Sequence, residues 1–186
     1  MEIRDPVTRV GQRVSDAGYA FSRCVTEPFE MHTALQHADT FIALIQADPS
    51  TTTADFFYLK NLDDNDLIIY KIKGWLDNSA AGVVEVSITT GVTGDPTAGT
   101  TLTPVNTTVG SGVTANATCE YKDGDMALTG GSVLDIIRID PAAIGEQKWH
   151  FTGGIRLRKN QTLVFNSDVD PVGHTIDMSV YFFFHG

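Results

Sequence analysis

Most of the chain beyond residue 53 alternates apolar and polar residues over short stretches, which are separated by Gly, Pro, Asn and Asp. Residues 84–89 are typical: three β-branched side chains at even positions alternate with Glu, Ser and Thr at odd positions. This period of two predicts strands with one buried face. About eight such stretches, interrupted by long loops, favour a sandwich over a simple meander. We predict an all-β, jelly-roll-like β-sandwich of about eight antiparallel strands with an extended N-terminal arm.

The last predicted strand, residues 174–185, is the most informative. Every even-numbered position from 176 to 184 is apolar, and Tyr181 and Phe183 add aromatic side chains on the opposite face. Such a strand needs neighbours on both sides, so we expect it in the interior of a sheet rather than as a frayed tail. Tyr181 and Phe183 are expected to pack either between protomers or inside the sandwich.

The pattern also predicts the domain organisation. Residues 1–53 read as an N-terminal arm and connecting segment, and residues 54–186 as the sandwich. Within the first part, residues 30–47 are compatible with a short helix that continues as a strand, and residues 48–53 form a break. Residues 91–112, rich in Thr and Gly, predict an edge excursion or a long loop.

The net charge of the chain disfavours some classes of binding partner. The 186 residues carry a formal net charge of −10, which disfavours binding to a nucleic-acid backbone. Residues 1–23 differ from the rest, because they are mildly basic through Arg4, Arg9, Arg13 and Arg23. No apolar run approaches the length of a membrane helix, and the first residues lack the apolar centre of a signal peptide. We therefore expect no nucleic-acid partner, no membrane contact and synthesis in a cytoplasm.

The sequence favours a non-enzymatic protein. The five His are scattered, and the sequence contains no Cys-x-x-Cys, no Gly-x-Ser-x-Gly and no phosphate-binding Gly-rich motif. The Gly pairs at 130–131 and 153–154 are better explained by turns and strand entry. Without an export signal, Cys24 and Cys119 are expected as free thiols, although a long-range disulfide between them is an alternative. We predict no catalytic residues, no cofactor and no resident metal.

Three features leave an alternative open. The acidic residues at 63–66 and 168–170 read as ordinary turns between strands, with a Ca²⁺ loop as the alternative. Trp75 and Trp149 are expected in the core or at its rim, with stacking on a sugar ring as the alternative. The basic cluster at 156–159 reads as a solvated hairpin end, with an interface as the alternative.

Several stretches, taken in order along the chain, carry a resemblance to a known class of proteins. They are residues 5–14 (Asp-Pro-Val-Thr-Arg-Val-Gly-Gln-Arg-Val), 20–26 (Ala-Phe-Ser-Arg-Cys-Val-Thr), His32-x-x-Leu35, 57–61 (Phe-Tyr-Leu-Lys-Asn) with 67–69, 153–160 (Gly-Gly-Ile-Arg-Leu-Arg-Lys-Asn) and the C-terminal strand. Together they resemble virion structural proteins of tailed bacteriophages, in particular head decoration (cement) proteins. The resemblance implies a β-sandwich on the capsid exterior, often a homotrimer, held to the major capsid protein by extended arms. It implies no catalytic residues, and the four arginines of the arm are the candidate capsid interface.

The alternative is a phage tail or head-fibre module whose sandwich binds a host-surface glycan through exposed aromatic residues. A sugar-active or cupin-like enzyme ranks last, because the inward-facing His cluster of such barrels is missing from the pattern.

Overall fold

The computed structural model of the chain describes the following residues: 2–4, 11–14, 20–22, 39–49, 53–76, 82–142, 146–167 and 175–185. The chain divides into two compact units, residues 1–36 and residues 37–186. In the first unit, strands β1 (Glu2–Arg4), β2 (Gly11–Val14) and β3 (Ala20–Ser22) form an antiparallel sheet in that order. The helix predicted to open residues 30–47 falls before residue 39 and lies outside the described residues.

The second unit is all-β over its described residues. Its strands are β4 (Thr40–Ala47), β5 (Ala54–Asn61), β6 (Asp66–Leu76), β7 (Val84–Thr93), β8 (Thr100–Thr101), β9 (Val105–Asn106), β10 (Ala117–Tyr121), β11 (Thr129–Ile139), β12 (Gln147–Leu157), β13 (Thr162–Ser167) and β14 (Ile176–His185). The sandwich therefore begins at Thr40 rather than at the predicted residue 54. The reason is that β4 buries alternate residues, from Phe41 to Ala47, against the core.

Two antiparallel sheets face each other. One has the order β11-β7-β13-β5-β10-β8 and the other the order β12-β6-β14-β4-β9. The pairing is nested: β4 pairs with β14, β5 with β13, β6 with β12 and β7 with β11. Along the chain these eight strands alternate one by one between the two sheets, except that β7 and β11 share a sheet, which is the arrangement of a jelly roll. The predicted all-β, jelly-roll-like sandwich is confirmed, and β8, β9 and β10 are an insertion between its fourth and fifth strands. The segment predicted as an extended arm contains the three-stranded sheet of β1, β2 and β3.

The core lies between the sheets and is rich in aromatic rings. Phe41 of β4 stacks on Phe182 of β14 with ring centroids 5.6 Å apart, and Phe57 of β5 meets Phe165 of β13 at 5.0 Å. Strand β14 lies between β6 and β4, as the apolar pattern predicted. Phe183 is also buried, but in a separate cluster with Ile68 and Tyr70 on the other face of β14. It therefore packs outside the main core, and not inside the sandwich.

An irregularity in β12 is built on glycine. Gly153 and Gly154 have positive φ angles, and the register between β12 and β6 shifts between His150 and Ile155. A Cβ on Gly154 would lie 3.2 Å from the Ile69 carbonyl oxygen, so a larger residue would strain the pairing. This pair therefore lies inside a strand, and not in a turn or at the entry to a strand as predicted.

Candidate functional site

The edge formed by β11 and β12 exposes a group of apolar side chains. Both are the outermost strands of their sheets on this side of the sandwich. Three side chains of β11 are about half exposed: Val133 at 59 %, Leu134 at 54 % and Ile136 at 49 %. A long edge strand with exposed apolar side chains favours association with another surface.

A groove of about 580 Å³ runs along this edge between the two sheets. Its apolar wall includes Leu134, Phe151 and Ile155, and its polar wall includes Asp135 and His150. The combination of apolar walls with a few polar groups is typical of a binding cleft. We call β11, β12 and this groove the open edge.

The arginines predicted at the capsid interface belong to the first unit. Arg4 lies in β1, and Arg13 lies in β2, where it is the register partner of Glu2. Arg9 and Arg23 lie outside the described residues. The role of all four in binding stays a prediction.

The acidic loop at 63–66 is held by ion pairs with the basic cluster. Lys159 Nζ lies 2.6 Å from Asp64 Oδ1, and this contact lowers the pKa of Asp64. Arg156 pairs with Asp66. Asp63 accepts a hydrogen bond from the Asn65 backbone N–H at 2.9 Å. The loop is therefore an ion-paired turn, and no described group of three or more His, Cys, Asp or Glu side chains is placed to hold a metal.

The second acidic stretch, which contains Asp168 and Asp170, lies outside the described residues. Cys119 is a free thiol that is only 1 % exposed, and burial raises its pKa. A buried thiol of this kind is a poor nucleophile. Cys24, its alternative disulfide partner, also lies outside the described residues.

The two tryptophans have different environments. Trp149 is partly buried and packs against the core, and its ring covers Gly74, where a Cβ would lie 3.1 Å from it. Trp75 is 43 % exposed and lines a depression of about 370 Å³ together with Gln46 and Asp177. The core or rim placement is therefore correct for Trp149, whereas Trp75 presents much of its ring on the surface.

A third depression, about 290 Å³, contains Asp55 and Asn166. The Asp55 carboxylate accepts hydrogen bonds from Asn166 Nδ2 at 2.9 Å and from the Leu128 backbone N–H at 3.1 Å. Asp125 Oδ1 in turn accepts the Asp55 backbone N–H at 3.1 Å. Burial raises the pKa of Asp55, and these contacts join the loop before β11 to β5 and β13. The arrangement is structural.

Sequence reasoning missed the exposure of β11. Its apolar residues occur at both odd and even positions and do not alternate with polar ones. They are Val133, Leu134, Ile136, Ile137 and Ile139. Only Ile137 and Ile139 are buried. The two-sided apolar pattern was the available signal, because one face of an edge strand in a sandwich normally carries polar residues.

Comparison with known proteins finds no matching family model, no similar curated protein and no similar solved structure. In the described part of the chain, the structure has no helix long and apolar enough to cross a membrane. The resemblance to phage decoration proteins that the sequence stretches suggested therefore stays a prediction.

Proposed function

We propose that this protein is a non-enzymatic decoration (cement) protein of a tailed-bacteriophage head. It is made in the host cytoplasm and binds the outer surface of the major capsid protein lattice as a homotrimer. The observation that carries the proposal is the open edge, where Val133, Leu134 and Ile136 are half exposed and Leu134 lines a groove of about 580 Å³. The sequence resemblance supplies the class of partner.

The proposed stabilising role follows from the thermodynamic linkage between binding of this protein and expansion of the capsid lattice. A protein that binds only the expanded lattice lowers the free energy of that lattice relative to its precursor. Apolar side chains contribute to such binding in proportion to the area they bury, about 25 cal/mol per Å². The arm with Arg4, Arg9, Arg13 and Arg23 adds charge-assisted contacts to acidic groups of the shell.

Co-sedimentation tests the proposal. The purified chain is mixed with expanded heads and with unexpanded shells of the phage that encodes it, and pelleted protein is quantified. We expect saturable binding to expanded heads. Binding to neither shell would refute the decoration role.

Two valines provide a matched test of the surface used. Val133 of β11 is 59 % exposed, and Val105 of β9, in the strand at the opposite end of the other sheet, is 55 % exposed. We expect Val133→Lys to weaken binding to expanded heads about tenfold or more, because a lysine in an apolar contact loses its hydration. Val105→Lys should bind like the wild type. Equal binding by both variants would refute the role of the open edge.

The arm is tested by deleting residues 1–23. Loss of head binding with an unchanged unfolding transition of the sandwich is the expected result. Full binding by the truncated chain would refute the role of the four arginines.

A further inference from the structure

The outer face of the sheet that contains β14 carries an ordered array of side chains. Strand β14 pairs with β6 on one side and β4 on the other, and Asp177 is the register partner of both Trp75 and Gln46. Ser179, two residues on, is likewise the partner of both Lys73 and Leu44. Residues directly opposite each other in neighbouring strands point to the same face. The first row is therefore Trp75–Asp177–Gln46, and the row beside it is Lys73–Ser179–Leu44.

These rows line the depression of about 370 Å³. Trp75 is 43 % exposed and Leu44 is 57 % exposed, so the depression has an accessible aromatic ring and an apolar neighbour. Trp75 lies in β6, which is between β12 and β14 in the sheet, so the ring stands on an interior strand rather than on a loop.

Polar groups surround the ring in fixed positions. Gln46 Nε2 donates a hydrogen bond to Asp177 Oδ1 at 3.1 Å, which orients the amide and the carboxylate relative to each other. Lys73 Nζ lies 3.1 Å from Glu146 Oε2. The depression therefore places both hydrogen-bond donors and hydrogen-bond acceptors beside an aromatic ring.

We propose that this surface is a carbohydrate-binding site for a neutral pyranose. The apolar C–H face of the sugar stacks on Trp75, and its hydroxyl groups bond to Asp177, Gln46 and Lys73. Such a ring needs both an aromatic face and paired donors and acceptors, and these rows provide them within one depression. The charged groups of the site are one cation, Lys73, and two anions, Asp177 and Glu146, so an anionic sugar is repelled. The site does not depend on the capsid role.

Saturation-transfer NMR on the full chain tests the proposal, because it detects the millimolar affinities of monosaccharides. The probes are methyl β-D-galactopyranoside, methyl β-D-glucopyranoside and the corresponding methyl galacturonoside. We expect transfer to at least one neutral probe, strongest at the C–H protons of one sugar face, and none to the uronoside. Absence of transfer to both neutral probes, or equal transfer to the uronoside, would overturn the proposal.

Variants separate the two tryptophans. Trp75→Ala should lose the transfer, Trp75→Phe should keep part of it, and Trp149→Phe should bind like the wild type, since Trp149 packs against the core. Thermal unfolding of each variant checks the fold. Unchanged binding by folded Trp75→Ala would refute the site.

Asp177→Asn tests the polar part of the site. It removes one negative charge and keeps the shape, so binding of the neutral probe should weaken because a charged acceptor is replaced by a neutral one. Unchanged affinity for the neutral probe would contradict the role of Asp177.

Discussion

The hydroxyl group of Tyr58 is a buried polar group that lowers the stability of the folded core. Its side chain is 1 % exposed and packs with Val92, Met126 and Val164. Its hydroxyl is buried, and no described residue provides a hydrogen-bond partner for it. Burial also raises the pKa of this hydroxyl. A buried hydroxyl without a partner loses its bonds to water and gains none in return.

We therefore expect Tyr58→Phe to increase the free energy of unfolding by about 1 kcal/mol, measured by urea denaturation. The ring and its packing are unchanged in this variant. A decrease in stability would show that the hydroxyl contributes favourably to the native state and would contradict this interpretation.

Asp55 couples stability to pH. Burial raises its pKa above the ordinary value of 3.8, and the neighbouring Asp125 acts in the same direction. The native state then binds the proton more tightly than the unfolded state does. As pH rises from the ordinary pKa through the native pKa, the contribution of Asp55 to the free energy of unfolding falls.

Asp55→Asn removes this titration. The free energy of unfolding of the variant, minus that of the wild type, should therefore increase as pH rises through the same window. Urea denaturation of both proteins at several pH values from about 3 to about 6 provides the measurement. A constant difference, or one that decreases with pH, would contradict the assigned direction of the pKa.

Strand β14 is the middle strand of its sheet and pairs along its length with both β4 and β6. Phe182 at its centre is fully buried and stacks on Phe41. We expect Phe182→Ala to lower the free energy of unfolding by about 3–5 kcal/mol. Leu44→Ala in the adjacent β4 removes a side chain that is 57 % exposed and should change it by about 0.5 kcal/mol or less. Comparable losses in the two variants would contradict the assigned faces.

The sequence predicted those strands that have one apolar and one polar face. The even-numbered apolar positions of β14 were enough to place it inside a sheet, because an apolar face of that length has to be covered. No local sequence pattern predicts the nested pairing of strands, since β4 and β14 lie at opposite ends of the sandwich sequence. Only the count of strands and the long loops pointed to it.

Surface features were harder to predict than the core. The apolar residues of β11 did not reveal its exposure, because its place at the end of a sheet leaves Val133, Leu134 and Ile136 half exposed. The array around Trp75 depends on the registers of three strands, and no local pattern specifies them. Composition suggested a sugar-stacking tryptophan, but only the fold distinguishes Trp75 from Trp149.

At the scale of the molecule, the jelly roll leaves one apolar edge open while the insertion β8–β10 occupies the opposite end of the sheets. An apolar edge on a strongly acidic protein favours association through that edge alone, because like charges disfavour contacts elsewhere. We expect light scattering after size-exclusion chromatography to give the mass of a trimer, both for the full chain and without residues 1–23. A monomer at all concentrations would contradict preassembly.

The most direct test of the decoration role is cryo-electron microscopy of the particles produced by the phage that encodes this chain. We predict density for the jelly roll on the outer surface of the expanded head, with β11 and β12 directed at the major capsid protein or at a neighbouring copy. The chain located only in the tail, or absent from the particle, would contradict the proposed function.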